Sequence, residues 1–460
     1  MFAIDRQSAV PLFRQLYGRV RGAISAGRLR PGDRLPSARS LAAQIGAARG
    51  TVEAAYAMLA GEGWIIARGA AGTVVAACVA ASPPQRRPRR VLPPPTIAPS
   101  PAPFQMGLPA LDAFPRKLWA GLVAREARAT QPASLSYSDP TGHLGLREAI
   151  SAYLGISRGV SCSPEQIFVT AGFQGALTLI ARTLLRPGEA VWVEDPGYHM
   201  AIASLRASGA RLVPVPVDAE GMCVEQAVSD TRGARLVLVT PSHQSPLGVA
   251  LSLPRRLAML AWAQAHSAWI VEDDYDGEFH YAGRPLPALK SLDDADVVLY
   301  AGSFSKVLFP GLRLGYLVVP LQLVPHFAAA VAAFSGGTGR LEQSVVARFM
   351  TEGHFAKHLK RMRSLYSARH SALANALSAS FGDKATIAQQ GGGMHLLLRL
   401  ACGTSDSELV RHAESQGLAP AALSRHAISS HPAPTLLLSF TNIPEDDAAR
   451  AAQALRQAIT

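Results

Sequence analysis

The stretch Ser303-Phe304-Ser305-Lys306, followed closely by Pro310-Gly311-Leu312-Arg313, decides the fold of this chain. An apolar run over residues 297–300 precedes it and predicts a buried parallel strand, so Lys306 stands where such strands present ligand-binding groups. Hydroxyls, an amine and an arginine together suit an aldehyde and a phosphate, and pyridoxal phosphate carries both groups. The alternative interpretation is an ordinary lysine on a surface loop.

A second polar group, Glu272-Asp273-Asp274-Tyr275-Asp276, follows the apolar stretch over residues 268–271. About one crossover connection separates it from Lys306, so the two strand ends are predicted to be neighbours in one sheet. A carboxylate facing the pyridine nitrogen keeps that nitrogen protonated, and we assign this role to Asp273, with Asp274 as the alternative. A magnesium site is the competing interpretation, but the sequence has neither a Gly-rich P-loop nor a second acidic cluster.

Three more junctions repeat this order of apolar strand and polar loop, at residues 166–170, 190–193 and 235–240. The loops carry, in chain order, the candidate ligands Gly172, Phe173, Gln174, Tyr198, His243 and Gln244. Amides at a helix start can hold a phosphate, an aromatic ring can stack on a cofactor, and imidazole or amide groups can bond a ring hydroxyl.

From about residue 105 to the end, these motifs resemble those of the fold type I aminotransferase family. The resemblance implies that Lys306 binds the cofactor aldehyde, that Asp273 faces the pyridine nitrogen and that Tyr275 lies near the ring hydroxyl. Phosphate ligands are implied at Gly172, Phe173, Gln174, Ser303, Ser305 and Arg313, and an aromatic residue packed on the cofactor at Tyr198. Tyr137 matches a tyrosine that reaches the phosphate of the partner subunit, which implies a homodimer.

Two positions depart from the aminotransferase pattern. Ser245 precedes Pro246 where the family usually has Asn. Leu437, in Leu436-Leu437-Leu438-Ser439-Phe440, replaces the arginine that binds the substrate carboxylate, and an aliphatic side chain cannot make that bidentate contact. The pattern therefore predicts cofactor capture without ordinary amino-acid turnover, with Arg425 nearby in sequence as a candidate substitute.

Positive charge is concentrated in the first 90 residues, which hold 14 arginines, no lysine and 4 acidic residues, or +10 of the chain's net +12. The other 370 residues are nearly balanced, with 31 basic against 29 acidic side chains. A small basic module on a near-neutral body is typical of a nucleic-acid binder. The alternatives are an arginine-rich face that serves solubility and an N-terminal arm for dimer contacts.

Apolar periodicity predicts a helix-turn-helix in this basic region. The first helix carries an apolar residue at every fourth position, namely Leu12, Leu16, Val20 and Ile24. Ser37 is a natural N-cap for a second helix, Gly46 supplies a turn, and a third helix begins near Arg49. Residues 65–75 then form a short hairpin, the wing. In this motif the start of the second helix of the pair enters the major groove.

Residues 9–76 resemble the winged helix-turn-helix of the GntR superfamily, through a Leu-Pro-Ser-x-Arg-x-Leu-Ala run and the Gly-Thr pair of the wing. By this resemblance, base or phosphate contacts come from Arg39, Arg49 and Thr51. Further contacts are expected at Ser37, Arg68 and Gly72. Ala48 and Gly50 stand where the family usually has Ser and a polar residue, and this loss weakens or redirects base readout.

The predicted domains are a winged helix-turn-helix at residues 1–80, a linker at 81–104 and an aminotransferase-like body at 105–460, whose small subdomain lies mainly within 321–460. The fold class is thus a small, mainly α module joined to a large α/β domain. Proline-rich composition predicts an extended, semi-rigid linker that spans up to about 60 Å. The dispersed cysteines and the lack of a signal peptide or apolar span predict a cytoplasmic protein without membrane segments or metal.

The two halves together resemble MocR-type transcriptional regulators. The resemblance implies a regulator that binds double-stranded operator DNA, holds pyridoxal phosphate at Lys306, and senses that cofactor, an amine or an amino acid. An effector amine that replaces Lys306 on the cofactor is the expected switch. The alternatives are an active aminotransferase with an accessory DNA-binding module and a regulator that has lost the cofactor.

Overall fold

The chain forms two compact units, Met1–Ile97 and Ala98–Thr460. The computed structural model describes residues 4–6, 8–69, 72–77, 101–229, 233–281, 287–334, 338–388, 391–401 and 403–459. The division falls inside the predicted linker, of which residues 81–100 lie outside the described part of the chain. The two units are therefore described one at a time.

The N-terminal unit is a three-helix module with a small sheet. Its elements are α1 Leu12–Ser25, β1 Arg34–Leu35, α2 Ala38–Ile45, α3 Arg49–Gly61, β2 Ile65–Ala67 and β3 Thr73–Val75. The strands are antiparallel, with β3 in the centre. Leu16, Val20 and Ile24 of α1 are buried in one core with Leu59 of α3, which confirms the predicted apolar face of α1, while Leu12 is only half-buried.

Local contacts fix how α2 and α3 are joined. The Ser37 Oγ accepts the Ser40 backbone N–H at 3.1 Å, as expected of an N-cap. Gly46 ends α2 in the left-handed region at φ 63°, where a residue without Cβ is favoured. The Tyr56 hydroxyl donates to the Pro36 carbonyl at 2.9 Å and so ties α3 to the start of α2. The predicted helix-turn-helix is confirmed.

An eight-stranded sheet forms the centre of the larger unit. Its strands are β4 Ile167–Thr170, β5 Ala190–Asp195, β6 Arg211–Asp218, β7 Gly221–Met222, β8 Leu236–Val239, β9 Trp269–Asp274, β10 Val298–Ser303 and β11 Gly315–Val318. The spatial order is β4-β11-β10-β9-β8-β5-β6-β7, and β7 and β11 run opposite to the other six strands. The four central parallel strands, β5, β8, β9 and β10, are almost wholly buried because both faces of the sheet are covered there, whereas β6 near the edge is partly exposed.

Successive residues of the central strands pack into two different cores. Leu299 of β10 belongs to one core with Leu177 and Phe327, whereas its neighbour Val298 belongs to another with Met259. The helices of this unit are α4 Arg116–Ala129, α5 Leu144–Arg158, α6 Gly172–Leu184, α7 His199–Ala207, α8 Val224–Ser229, α9 Leu253–Ala265, α10 Phe304–Val307, α11 Val324–Phe334, α12 Arg340–Thr351, α13 His354–Phe381, α14 Asp406–Ser415 and α15 Ala448–Ile459. Throughout the described ranges, no helix combines the length and apolar character needed to cross a bilayer.

A second, antiparallel sheet lies towards the C-terminus. Its strands are β12 Ala385–Ala388, β13 His395–Leu400, β14 Ala421–Ala422 and β15 Thr435–Ser439, in the order β12-β13-β15-β14. Phe104, predicted as linker, is fully buried and forms a β-bridge with Ser439, and the Pro103 carbonyl accepts the Ala419 N–H at 2.9 Å. Residues 101–104 therefore belong to this unit. Burial of the Phe104 side chain stabilises their contact with the second sheet.

The register of β9 and β10 brings together the two motifs that the sequence singled out. Asp273 lies opposite Ala301 in the parallel pair, and Lys306 follows in the short α10. The prediction that these strand ends are neighbours is confirmed. The strand β9 continues to Asp274, past the predicted end at residue 271, so Asp273 is held inside the sheet.

Gly302 in β10 generates a stability prediction. A Cβ there would lie 2.2 Å from the ring of Tyr316, which is buried on β11, so Gly302→Ala should separate the strand pair and cost about 1–3 kcal/mol. Gly155, on the exposed side of α5, has open space around it, so Gly155→Ala should stabilise the helix by up to about 1 kcal/mol. Calorimetric unfolding checks both changes, and an unchanged midpoint for Gly302→Ala contradicts the close approach.

Candidate functional site

A cavity of about 370 Å³ lies at the carboxyl ends of β4, β9 and β10. It is lined by residues from strand ends, helix starts and the loops of the second sheet. Of the residues predicted as cofactor ligands, it collects Gly172, Phe173, Gln174, Tyr198, Asp273, Tyr275, Ser303, Ser305, Lys306 and Arg313. Residues that are far apart in sequence therefore share one concave site.

Lys306 is held by the backbone of a segment that precedes the sheet. Its Nζ donates to the Gly107 carbonyl at 2.8 Å, and a Cβ on Gly107 would lie 2.9 Å from the same nitrogen. Burial lowers the pKa of Lys306, although Asp276 and Asp273 oppose this shift. The lower pKa favours the neutral amine, which is the form that attacks an aldehyde.

The acidic residues of β9 and its loop have separate partners. Asp273 lines the cavity, and burial, with the neighbouring Asp274 and Asp276, raises its pKa well above the usual range. Asp274 instead forms a 2.7 Å ion pair with Arg158 and accepts from the Tyr300 hydroxyl. This pairing excludes Asp274 as the alternative to Asp273. No group of three or more potential metal ligands occurs among the residues that the structure describes.

One end of the cavity has the donors that a phosphate needs. The α6 helix begins at Gly172 in the left-handed region, with φ 73°, and directs backbone amides at the cavity. Gln174 lies at this end of the cavity, where its side chain interacts with the Tyr198 hydroxyl, and Arg313 forms no ion pair within the described part of the chain. The Ser303 Oγ caps α10 by accepting the Ser305 N–H at 3.2 Å. These unused donors and the cation fit a dianionic group.

Three predicted ligands lie outside this cavity. His243 Nδ1 is 3.0 Å from both the Tyr275 hydroxyl and Asp276 Oδ2, and so contacts the site only through its neighbours. Gln244 is buried and donates to the Pro196 carbonyl at 2.9 Å. It braces the loop, whose next residues, Ser245 and Pro246, line the cavity instead. Tyr137 is fully exposed.

Several lining residues were not found from the sequence. They are Met106, Gly107, Leu108, His199, Met394, His395, Ala421 and His426. None belongs to a motif or follows a long apolar strand, so no local signal marks them. Arg425, the candidate substitute for the missing arginine, also lines the cavity, as does Met200.

Two buried histidines present hydrogen-bond acceptors here. His395 Nε2 lies 2.8 Å from the Pro246 carbonyl, and His426 Nδ1 lies 3.1 Å from the Gly197 carbonyl. A carbonyl oxygen only accepts, so each ring donates from that nitrogen and keeps a lone pair on the other. Burial lowers the pKa of both rings to about 4, which leaves them neutral near pH 7.

Leu437 occupies an apolar cluster beneath the cavity wall. It is fully buried with Leu397 and Leu423, and this cluster packs against Met106 and Ala421, which line the cavity. Where the aminotransferase pattern has an arginine, this chain therefore has a leucine that packs tightly against other aliphatic side chains.

The predicted DNA contacts lie on the surface of the N-terminal unit. Arg39, Arg49 and Arg68 are exposed, at the starts of α2 and α3 and in the wing, and Thr51 is half-buried. The exposed Ser37 uses its hydroxyl to cap α2, and the exposed Gly72 accepts the Arg68 N–H at 2.8 Å in the wing turn. Arg49 forms an ion pair with Glu53, in which Arg49 Nε lies 2.7 Å from Glu53 Oε1.

The fold and the site define a two-part protein that joins a winged helix-turn-helix to an aminotransferase-like body. Residues 12–75 match the family model of bacterial regulatory proteins of the gntR family, and residues 114–454 match aminotransferase class I and II. The chain is 38% identical to a probable rhizopine catabolism regulatory protein, MocR, of Rhizobium meliloti, over 100% of this chain and 96% of that protein. It therefore belongs to the MocR-type family of regulators, which confirms the resemblance found in the sequence.

Other relatives agree with both halves of this assignment. The HTH-type pyridoxine biosynthesis transcriptional regulator PdxR of Corynebacterium glutamicum is 34% identical, over 90% of this chain and 88% of that protein. The kynurenine aminotransferase of Pyrococcus horikoshii matches in structure with a TM-score of 0.71 and 29% identity, over 77% of this chain and 90% of that chain. The α-aminoadipate aminotransferase LysN of Thermus thermophilus has a TM-score of 0.71 and 30% identity, over 77% and 91%.

The environment of Lys306 predicts how it is labelled. Borohydride treatment of protein mixed with pyridoxal phosphate should fix the cofactor on Lys306, so Lys306→Ala should lose this label, whereas the exposed Lys117→Ala should keep it. Because burial lowers the pKa of Lys306, labelling should rise to its plateau at a pH below the ordinary lysine pKa of about 10.4. Peptide mass spectrometry across a pH series measures both effects, and a label that persists in Lys306→Ala contradicts the assignment.

Proposed function

We propose that this protein is a DNA-binding transcriptional regulator that holds pyridoxal phosphate at Lys306 and senses the cofactor or an amine that reacts with it. The observation that carries the proposal is the cavity that gathers Lys306, Asp273 and Arg313 on a body belonging to the same chain as a basic winged helix-turn-helix. Family membership supports the same combination.

The donor set of the cavity fits this cofactor. When bound, pyridoxal phosphate supplies an aldehyde for amines and an electron-withdrawing ring. Lys306 would hold the aldehyde carbon, and Asp273 would hold a proton at the ring nitrogen. The amides at the start of α6, the hydroxyls of Ser303 and Ser305 and the guanidinium of Arg313 would hold the phosphate. Tyr198 would pack on the ring.

Sensing requires an effector that binds one state of the body better than another. An amine that takes the place of Lys306 on the cofactor releases a buried side chain whose partner here is the Gly107 carbonyl. The segment of Gly107 enters the body through Phe104 and the β-bridge to Ser439. We propose that release of Lys306 is transmitted along this segment, which connects directly to the linker.

An active aminotransferase is the second candidate function. It is favoured by the ten predicted cofactor ligands that line the cavity and by the aminotransferases among similar structures. Leu437 disfavours it, because the apolar cluster around Leu437 has no cation for a substrate carboxylate. Multiple turnovers with an amine and a keto acid would favour the enzyme, and a single stoichiometric response favours the sensor.

A switch experiment tests the regulator directly. Binding to the DNA upstream of the protein's own gene is measured with and without cofactor, for the wild type and for Lys306→Ala. We expect cofactor to change the affinity or the footprint only when the lysine is present, because Lys306 provides the covalent link. Equal binding under all four conditions would rule out the switch.

The exposed arginine at the start of α2 predicts a salt-dependent contribution to DNA binding. Arg39→Ala should weaken binding and reduce the slope of log K against log salt by about 1, because one phosphate contact is lost. Arg211→Ala removes the same charge from an exposed site on the other unit and should leave the slope unchanged. Fluorescence anisotropy at several salt concentrations measures the slopes, and equal slopes for the two variants would contradict the assignment.

We also propose that the working form is a homodimer. A second cavity of about 530 Å³ is lined by Trp119, Phe309 and Leu312 and shares Arg313 with the first. Tyr137 is fully exposed in its own chain, so it is free to reach a neighbouring site. A second copy that covers the apolar cavity would bring its Tyr137 towards the phosphate end of the first cavity.

Mixed dimers test this arrangement. Tyr137→Ala and Lys306→Ala homodimers should each bind cofactor poorly. Each mixed dimer should regain one functional site, because one subunit supplies the lysine and the other the tyrosine, so an equal mixture with free subunit exchange should regain about one site for every two dimers. Cofactor uptake and analytical ultracentrifugation measure the result. A monomer, or the absence of any recovery on mixing, counts against the shared site.

A further inference from the structure

Three histidine rings line the part of the cavity that the proposed cofactor contacts leave unused. They belong to His199 at the start of α7, His395 in β13 and His426 in the turn after β14, and Arg425 lines the same cavity. None of these residues stands in the segments assigned to the phosphate, the ring or the aldehyde of the cofactor. The four residues form the effector end of the cavity, which is available to the part of an effector that lies beyond its amine.

The histidines of the effector end have ring nitrogens that are free to accept a hydrogen bond. His395 Nε2 donates to the Pro246 carbonyl at 2.8 Å, and His426 Nδ1 donates to the Gly197 carbonyl at 3.1 Å. The other nitrogen of each ring therefore carries a lone pair, and it has no hydrogen-bond partner in the described part of the chain. His199 Nδ1 is buried and also lacks a partner among the described residues. The effector end thus offers two fixed acceptors and a third imidazole whose Nδ1 is unused.

The three rings are neutral near pH 7 and share the cavity with a cation. Burial lowers the pKa of His395 and His426 to about 4, and burial and the charge of Arg425 lower the pKa of His199. The Arg425 guanidinium forms no ion pair within the described ranges. A ligand group at the effector end therefore meets both lone pairs and positively charged N–H donors.

This combination of partners distinguishes among the groups that an amine effector can carry. A second ammonium would donate to the imidazoles, but the like charge of Arg425 would repel it. A carboxylate is unprotonated at pH 7 and only accepts, so the imidazole lone pairs would repel it. A hydroxyl is neutral, donates one hydrogen bond and accepts others, and so fits both kinds of partner.

We propose that the effector is an amine that carries one or more hydroxyl groups, and that His199, His395 and His426 accept hydrogen bonds from those hydroxyls. The proposal rests on the function proposed above and names the chemical class of its effector. A hydroxyl that donates to one of these rings can accept from the guanidinium at the same time. Met200 and Met394, which also line the cavity, supply flexible apolar contacts for the carbon skeleton.

Amines matched in length test the class of effector in the full chain loaded with pyridoxal phosphate. The probes are straight-chain amino alcohols of increasing length, their O-methyl ethers and the alkylamines that lack the oxygen, with binding followed by the absorbance of the cofactor. The ether keeps the acceptor and loses the O–H donor, so the best amino alcohol should bind about 10-fold more tightly than its ether and its alkylamine. Equal binding of alcohol and ether overturns the proposal, as does tighter binding of the diamine or the ω-amino acid of the same length.

Substitutions of the rings test the acceptors. His199→Phe keeps a ring that can pack edge to face with His426, where the ring centroids lie 4.8 Å apart, and removes both ring nitrogens. It should lower the preference for the alcohol over the ether about 3-fold. His395→Phe should lower it similarly, whereas His395→Gln should keep part of it, because an amide can donate to Pro246 and still accept from a ligand. A preference that is unchanged in both His199→Phe and His395→Phe overturns the proposal.

His370→Phe provides the matched control. His370 packs edge to face with Phe440, with ring centroids 5.4 Å apart, and it lies outside the cavity wall. Burial lowers its pKa, as it does for the three histidines of the effector end. The control should leave the preference for the alcohol unchanged, and cofactor uptake shows that each variant is folded.

A second readout needs no reaction at the cofactor. Ligand-observed NMR of the cofactor-free chain compares diols with their dimethyl ethers, and His199→Phe should weaken the binding of the diols. If the wild type takes up no cofactor, the proposed function fails, whereas selective binding of the diols would still support the effector end as a hydroxyl site. Cofactor uptake without a preference for the alcohol leaves the proposed function standing and overturns the hydroxyl site.

Discussion

The parallel pairing of β9 with β10 is the constraint on which the site depends. It sets Asp273 opposite Ala301 and delivers Lys306 just beyond the strand end, so a buried acid and a buried amine face one cavity. Placing two ionisable groups in a low-dielectric site costs free energy, as the raised pKa of Asp273 and the lowered pKa of Lys306 indicate. A cofactor with a protonated ring and an aldehyde relieves both groups.

The sheet behind the cavity is braced by further buried charges. Arg158 pairs with Asp274 and donates to the Ser242 Oγ at 2.8 Å, which links α5 to two strand ends. Glu272 accepts the backbone N–H groups of Leu289 and Lys290 at 2.8 and 2.9 Å. Removal of one partner would leave an uncompensated buried charge, so the loss of either contact should destabilise the strand ends beside Asp273.

The two ends of the cavity are built in different ways. The phosphate end uses a helix start and a short polar turn, which are contiguous in sequence. The effector end instead combines α7, the second sheet and the turn around Arg425. This division suits a sensor that keeps one cofactor and varies its effector. Residues of the second sheet can be substituted without disturbing the phosphate contacts.

The sequence alone determined the elements whose signals are local. The apolar face of α1, the Ser37 cap, and the neighbouring strands that lead to Asp273 and Lys306 follow from periodicity and from the chemistry of short runs. Local patterns also identified ten cavity-lining residues among the thirteen predicted cofactor ligands, because most of these ten stand at or shortly after the end of a buried strand.

Only the tertiary structure decided the assignments that depend on which segments meet. The ion pair between Asp274 and Arg158 favours Asp273 as the residue that faces the cavity. His243 and Gln244 lie outside the cavity, whereas Arg425 lies in its wall. The tertiary structure also moved Phe104 from the linker into the body. The direction of a side chain at a loop, and the partner that buries it, are set by long-range packing, which no short stretch of sequence encodes.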